Sequence, residues 1–262
     1  MLQTRPPSER TETSTGPLVL LVVLLTWGGG NNAVAQEEHV PSAVGRSSRF
    51  CEADPAGRSL DVRGLASVYC TEAPPIAVPL RGAHTTARPV FYGAVPAAWI
   101  GAVGSGDQPV FSAAYRLTIA QGVTYGLTLG IKHMVGRLRP YARHSLRSRA
   151  ERYRKASGGK EARLSFPSGH ASISAALAMS WSLSYPRWYV IGPGALWATS
   201  VALSRVYLGV HFPSDILAGT VLGAGVALLV HHLRAVVTPS SLRADPESQR
   251  MSAVPVGVQI RF

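Results

Sequence analysis

Three short blocks in this 262-residue chain gather the side chains that phosphate chemistry uses: Lys132-x6-Arg139-Pro140, Pro167-Ser168-Gly169-His170 and Ser204-Arg205-x5-His211-x3-Asp215. Lys132 supplies a point charge, and Arg139 and Arg205 supply planar forks that match phosphate oxygens. Lys132 and Arg139 are seven residues apart, two helical turns, so they share a face if the helix extends that far. Ser168 and Gly169 fall where a helix should begin, and free N–H groups at a helix start attract anions. His211 precedes Asp215 by four residues, so one helical turn can set the carboxylate against an imidazole nitrogen. That contact fixes the tautomer and leaves the other nitrogen as a nucleophile. His170, opening the next helix, is placed to protonate a leaving oxygen. Three cations, two histidines and one carboxylate, with no cluster of metal-ligand spacing, point to phosphoryl transfer through a phosphohistidine.

Four of the other histidines are different. His133, His144, His231 and His232 have no partner at a useful spacing, and Tyr207, Trp188 and Trp197 read as packing or interface aromatics.

The elements that must position these blocks follow from the distribution of charge. The 26 Lys+Arg exceed the 14 Asp+Glu by 12, yet charged residues make up only 15% of the chain and hydrophobic ones 46%. That much apolar surface excludes disorder as the main state, and long uncharged stretches exclude a uniformly basic nucleic-acid binder. Residues 1–35 read as a signal peptide or N-terminal anchor, with an apolar run ending at Trp27 and small residues Ala33 and Ala35 before Gln36. Residues 36–88 form a polar, exported segment that holds both cysteines, Cys51 and Cys70, which would pair as a disulfide.

Residues 89–235 alternate uncharged stretches with polar turns: Pro89–Gly106, Leu117–Ile131, Ala171–Pro186, Trp188–Ser204 and Ile216–Val230. These predict membrane helices, and glycines four apart (Gly122, Gly126 and Gly130; Gly219 and Gly223) predict close helix approach. Buried helices of a soluble domain are the alternative. If the first stretch runs inward and the second outward, all three blocks lie on one outer face. The basic loop Gly136–Phe166, which includes Lys155 and Arg163, then lies outside too, against the positive-inside tendency. Recruitment of an anionic substrate accounts for that, as does a soluble periplasmic domain. In the tail, 236–262, the alternation of Val254, Val256, Val258, Ile260 and Phe262 predicts a short edge strand or a loose end.

The three blocks resemble the tripartite signature of the type 2 phosphatidic acid phosphatase and vanadium haloperoxidase superfamily, over about Pro89 to Leu233. The resemblance implies an all-α helical bundle of that type, with five or six transmembrane helices. It implies His211 as nucleophile, Asp215 as its charge partner and His170 as acid. Lys132, Arg139, Ser168, Gly169 and Arg205 would bind the phosphate, with no metal and no cofactor. The stretch Ser204–Gly219 is more similar to the membrane lipid phosphatases than to the soluble acid phosphatases.

The expectation is therefore a multi-pass inner-membrane phosphatase with a periplasm-facing site, acting on a lipid phosphomonoester or pyrophosphate. Its partners would be that lipid phosphate and membrane lipids, with no nucleic acid. A soluble periplasmic acid phosphatase is the alternative, followed by a vanadate haloperoxidase and a non-catalytic phospholipid-binding module.

Overall fold

The structure, a computed structural model, describes residues 49–52, 58–71, 73–144, 146–149 and 160–242. The leader 1–35, Lys155 and the alternating tail lie outside the described residues. Among the described residues every regular element is helical. The longer helices are α1 (Leu60–Tyr69), α2 (Pro74–Ser105), α3 (Gln108–Val135), α4 (Gly169–Ser184), α5 (Trp188–Tyr207) and α6 (Pro213–His232).

Caps, more than hydropathy, set the helix ends. Helix α2 starts on Pro74, where a missing N–H costs nothing, and stops at Gly106, whose φ of 70° only glycine adopts readily. In between it runs for 32 residues through Pro79, Pro89 and Pro96. The domain boundary expected at residue 89 thus falls inside a helix. Proline reads as a breaker in sequence, yet α2 continues through all three, each on an exposed face of the helix. Helix α3 ends at Gly136, with φ 59°, and Arg139 lies beyond it in extended backbone. Lys132 and Arg139 therefore do not share a helix face, and the chain turns to bring them together.

Helix α4 is the centre of the bundle, packed against α6, α5 and α3, with α2 bridging α3 and α5. The α4–α6 contact depends on glycine: a Cβ on Gly219 would lie 2.6 Å from the Ser168 carbonyl oxygen, and one on Gly223 1.9 Å from that of Ser172. The other glycine row does not act this way. Gly122, Gly126 and Gly130 have nothing within 4 Å of an added Cβ. Thr124, Thr128 and Lys132 are the buried row of α3, and a shift of two residues is about 200° around a helix, so the glycines face outward.

Small residues fill the interior, among them Ala83, Ala87, Ala94, Ala102, Ala171 and Ala176, while Tyr92, Ile100, Leu196, Leu217 and Val221 are exposed. Of the five or six spans expected, length and composition single out one among the described residues, Pro213–His232. Helices α2 and α3 carry Arg81, Arg88, Arg116 and Lys132; α4 has 16 residues; and Gly, Pro, Ser and Trp dilute the hydropathy of α5.

Ahead of the bundle, Cys51 and Cys70 form a disulfide. It closes on α1, whose Leu65 and Tyr69 join Tyr207, Val210, Phe212 and Ile216 in one apolar cluster. The turn after α5 needs Gly209, which has φ 69° and would place a Cβ 3.0 Å from the Tyr69 ring.

Candidate active site

The three blocks meet at one end of the bundle because successive long helices run in opposite directions. Lys132 lies in the last turn of α3, His170 in the first turn of α4, Arg205 in the last turn of α5, and Asp215 in the first turn of α6. His211 sits in the α5–α6 turn, 3% exposed.

Each cation is held by backbone or by another ring. Lys132 Nζ donates to the carbonyls of Leu164 (2.8 Å) and Pro167 (2.6 Å), which ties α3 to the segment leading into His170. Arg139 donates from Nε to the Glu161 carbonyl (2.9 Å) and from Nη1 to the Val210 carbonyl (3.1 Å). The same Nη1 stands 3.0 Å from His211 Nε2. Arg205, 2% exposed, places Nη1 3.0 Å from Nδ1 of His84 on α2.

The other face of the His211 ring meets Asp215, with Nδ1 3.5 Å from Oδ2. Asp215 is fully buried, and a buried carboxylate is stable only if its lone pairs are met. They are met by Ser165 Oγ (2.5 Å) and the Phe212 N–H (2.9 Å) on Oδ2, and by Arg137 (2.6 Å) on Oδ1. Burial and the nearby charges of Arg139, Lys132 and Arg205 hold His211 well below the usual imidazole range, so its ring is neutral at pH 7. A neutral ring whose Nδ1 faces a carboxylate presents its Nε2 lone pair toward the cations.

Ser168 and Gly169 open α4 as the sequence predicts, although Ser168 spends its own N–H on the Asp215 carbonyl (2.9 Å). No side chain caps this helix start, and Ser168 Oγ is buried with no protein partner. His170 packs its ring edge to face on Phe91 at 5.4 Å, and its Nε2 likewise has no partner. Among the described residues, no group of three or more His, Cys, Asp or Glu is placed to hold a metal ion. The packing role read for Tyr207 fits its 4.4 Å contact with Arg149, and Trp197 donates to Thr86 at 3.2 Å.

Five residues here escape the sequence reading. Arg137 is hidden in a basic run, Ser214 in the unspecified positions between His211 and Asp215, and Ser165 just before the second block. Asp61 and His84 lie far upstream, with no local signal at all. Asp61 accepts from Arg137 (2.5 Å) and from the N–H (2.8 Å) and hydroxyl (2.6 Å) of Ser214. Burial alone would raise its carboxyl, but the bonds from Ser214 and Arg137 outweigh that and hold it below the ordinary value.

The PAP2 superfamily matches residues 111–238. An undecaprenyl-diphosphatase of Sulfolobus acidocaldarius is 45% identical over 65 residues, 25% of this chain and 31% of that protein. A lipid A 1-phosphatase of Rhizobium johnstonii is 39% identical over 72 residues, 27% of this chain and 28% of that protein. The matched region thus spans about a third of the length of these curated relatives. In three dimensions the crystal structure of LpxE from Aquifex aeolicus shares the fold, with a TM-score of 0.55 at 17% identity, covering 68% of this chain and 98% of that one.

Proposed function

We propose, from the match of residues 111–238 to the PAP2 superfamily, that this chain is a phosphatase of lipid phosphomonoesters or diphosphates, working without a metal through a phosphohistidine on His211. The observation that carries this reading is the two-sided environment of His211. Asp215 faces Nδ1 at 3.5 Å while Arg139 meets Nε2 at 3.0 Å, where phosphate oxygens would sit.

In this mechanism Lys132, Arg139 and Arg205 bind the phosphate oxygens and offset the charge of the transition state, the part a divalent cation plays elsewhere. His211 Nε2 attacks phosphorus, the P–O bond to the lipid breaks, and His170, protonated once the phosphate anion is bound, gives that proton to the leaving oxygen. Asp215 stabilises the imidazolium character of the phosphorylated ring. His170 then takes a proton from water, the hydroxide attacks phosphorus, and the P–N bond breaks to release phosphate and restore both histidines.

A lipid substrate is supported by the names of the relatives and by the surface. Many large apolar side chains point outward, and alanines and serines are frequent where the helices meet, which is how helices pack in lipid. We place the site at the outer face of the inner membrane, where the described part of the basic loop would draw in anionic headgroups.

The test is phosphate release by detergent-purified protein in excess EDTA, from a panel of lipid phosphates and one aryl phosphate. Turnover that strongly favours one lipid supports the membrane enzyme. Turnover of the aryl phosphate alone supports a soluble-type acid phosphatase. Turnover of nothing overturns the reading in favour of vanadate chemistry or a binding role.

A further inference from the structure

Asp215 is gripped from behind by a chain of contacts that begins outside the matched region. Arg137 puts Nη1 on Asp215 Oδ1 (2.6 Å) and on Ser214 Oγ (2.7 Å), and Nη2 on Asp61 Oδ2 (2.5 Å). Its guanidinium also lies 4.3 Å over the Phe212 ring, which adds a stacking contact to these hydrogen bonds. Asp61 in turn accepts from both the backbone and the hydroxyl of Ser214, the residue next to Asp215. Helix α1, which carries Asp61, is itself anchored. Leu65 is fully buried, Tyr69 donates to the Arg147 carbonyl at 2.9 Å, and Gly64 comes so near Pro213 that a Cβ would lie 2.9 Å from its Cγ.

We propose that Asp61 is a positioning residue of the reaction, acting through Arg137 and Ser214 to fix the orientation and effective charge of Asp215 beneath His211. The physical reason is the sharing of one cation between two anions. With Asp61 present, the Arg137 charge is divided, and Asp215 keeps most of its own charge for the His211 ring. Without Asp61, Arg137 is left with Asp215 alone, neutralises it and weakens its hold on the imidazolium. The disulfide-linked segment ahead of the bundle would thus complete the active site. The inference rests on the phosphohistidine reading.

The titratable and polar groups that face His211 are Lys132 from α3, His170 from α4, Arg205 from α5, Asp215 from α6, and Arg139 and Ser165 from the connecting segment. Behind them stand Arg137, Ser214 and Asp61. The experiment compares wild type, Asp61→Asn and Asp61→Glu in kcat, KM and pH profile. Alongside it, the His211 ring is titrated by nitrogen-15 NMR in micelles, with its signal assigned by loss in His211→Ala.

For Asp61→Asn we expect kcat to fall about tenfold, the size of coupling typical within one charged network, with KM unchanged. The acid limb and the NMR titration should both move to lower pH, and Asp61→Glu should restore part of each. Unchanged titration in a folded Asp61→Asn protein overturns the proposal, even if stability falls. Should that variant not fold, Ser214→Ala removes one of the Asp61 contacts and is read the same way: a shifted titration supports the proposal and an unshifted one overturns it. The NMR titration needs no substrate, so an inactive wild type would overturn the phosphatase reading while leaving the Asp61 coupling measurable.

Discussion

Replacing Asp215 by asparagine removes one charge and little volume, so it isolates what the carboxylate does for His211. At 3.5 Å from Nδ1, and with an effective dielectric of about 20, a full negative charge stabilises a cationic ring by about 5 kcal/mol. Arg137 stands 2.6 Å from the same carboxylate and cancels part of that field, and the asparagine dipole replaces part more, so about 2–3 kcal/mol should be lost. By transition-state arithmetic this is about a hundredfold in kcat. KM should move little, because the loss falls on the phosphorylated ring and not on the cations that bind substrate. The assay is initial-rate phosphate release by purified Asp215→Asn, with thermal unfolding measured in parallel, since Arg137 loses a buried partner. A variant that stays folded with kcat within about threefold of wild type would refute the role given to the carboxylate.

Three further outcomes follow from the same geometry. Since burial and three cations lower the His211 pKa, and the neutral ring is the nucleophile, kcat/KM should hold as pH falls to 6.5 and decline only below it; an acid limb at or above 6.5 would contradict the account. His84→Ala removes a ring nitrogen 3.0 Å from Arg205 and should raise KM by about tenfold or more, the cost of one hydrogen bond to a charged group, whereas unchanged steady-state constants would remove His84 from the site. Gly223→Ala should cost about 1–3 kcal/mol, read as a lower melting temperature, because its Cβ would lie 1.9 Å from a carbonyl oxygen of α4; Gly126→Ala, with nothing within 4 Å, should not destabilise, and equal behaviour of the two would refute the packing account.

What could be read from sequence was whatever depends on spacing along the chain. His211 and Asp215 are one helical turn apart, and the Pro167-Ser168-Gly169-His170 block announces its own helix start, so both are visible without coordinates. The order of helices was visible for the same reason, since each uncharged stretch is local. Helix α2 is longer than the uncharged stretch Pro89–Gly106, because it continues upstream through Arg81 and Arg88 to Pro74, where charge hides the helix from a hydropathy reading. The row of Gly122, Gly126 and Gly130 looks the same in sequence as Gly219 and Gly223, and only the rotation of α3, set by Thr124 and Thr128 facing inward, separates the two. Asp61 and His84 were invisible for a stronger reason. Asp61 is 76 residues from Arg137 and His84 121 from Arg205, and no pattern within a chain specifies contacts at that range.

The central claim is that His211 carries the phosphoryl group between the two halves of the reaction. The direct measurement is rapid mixing of purified protein with the preferred lipid phosphate, an alkaline quench that preserves phosphohistidine, and peptide mass spectrometry. The account predicts a phosphoryl group on the peptide containing His211, formed within the first turnover in the presence of EDTA and absent from His211→Ala, which should also fail to release phosphate. Phosphate release by His211→Ala at the wild-type rate, or a phosphoryl group trapped on a different residue, would contradict it.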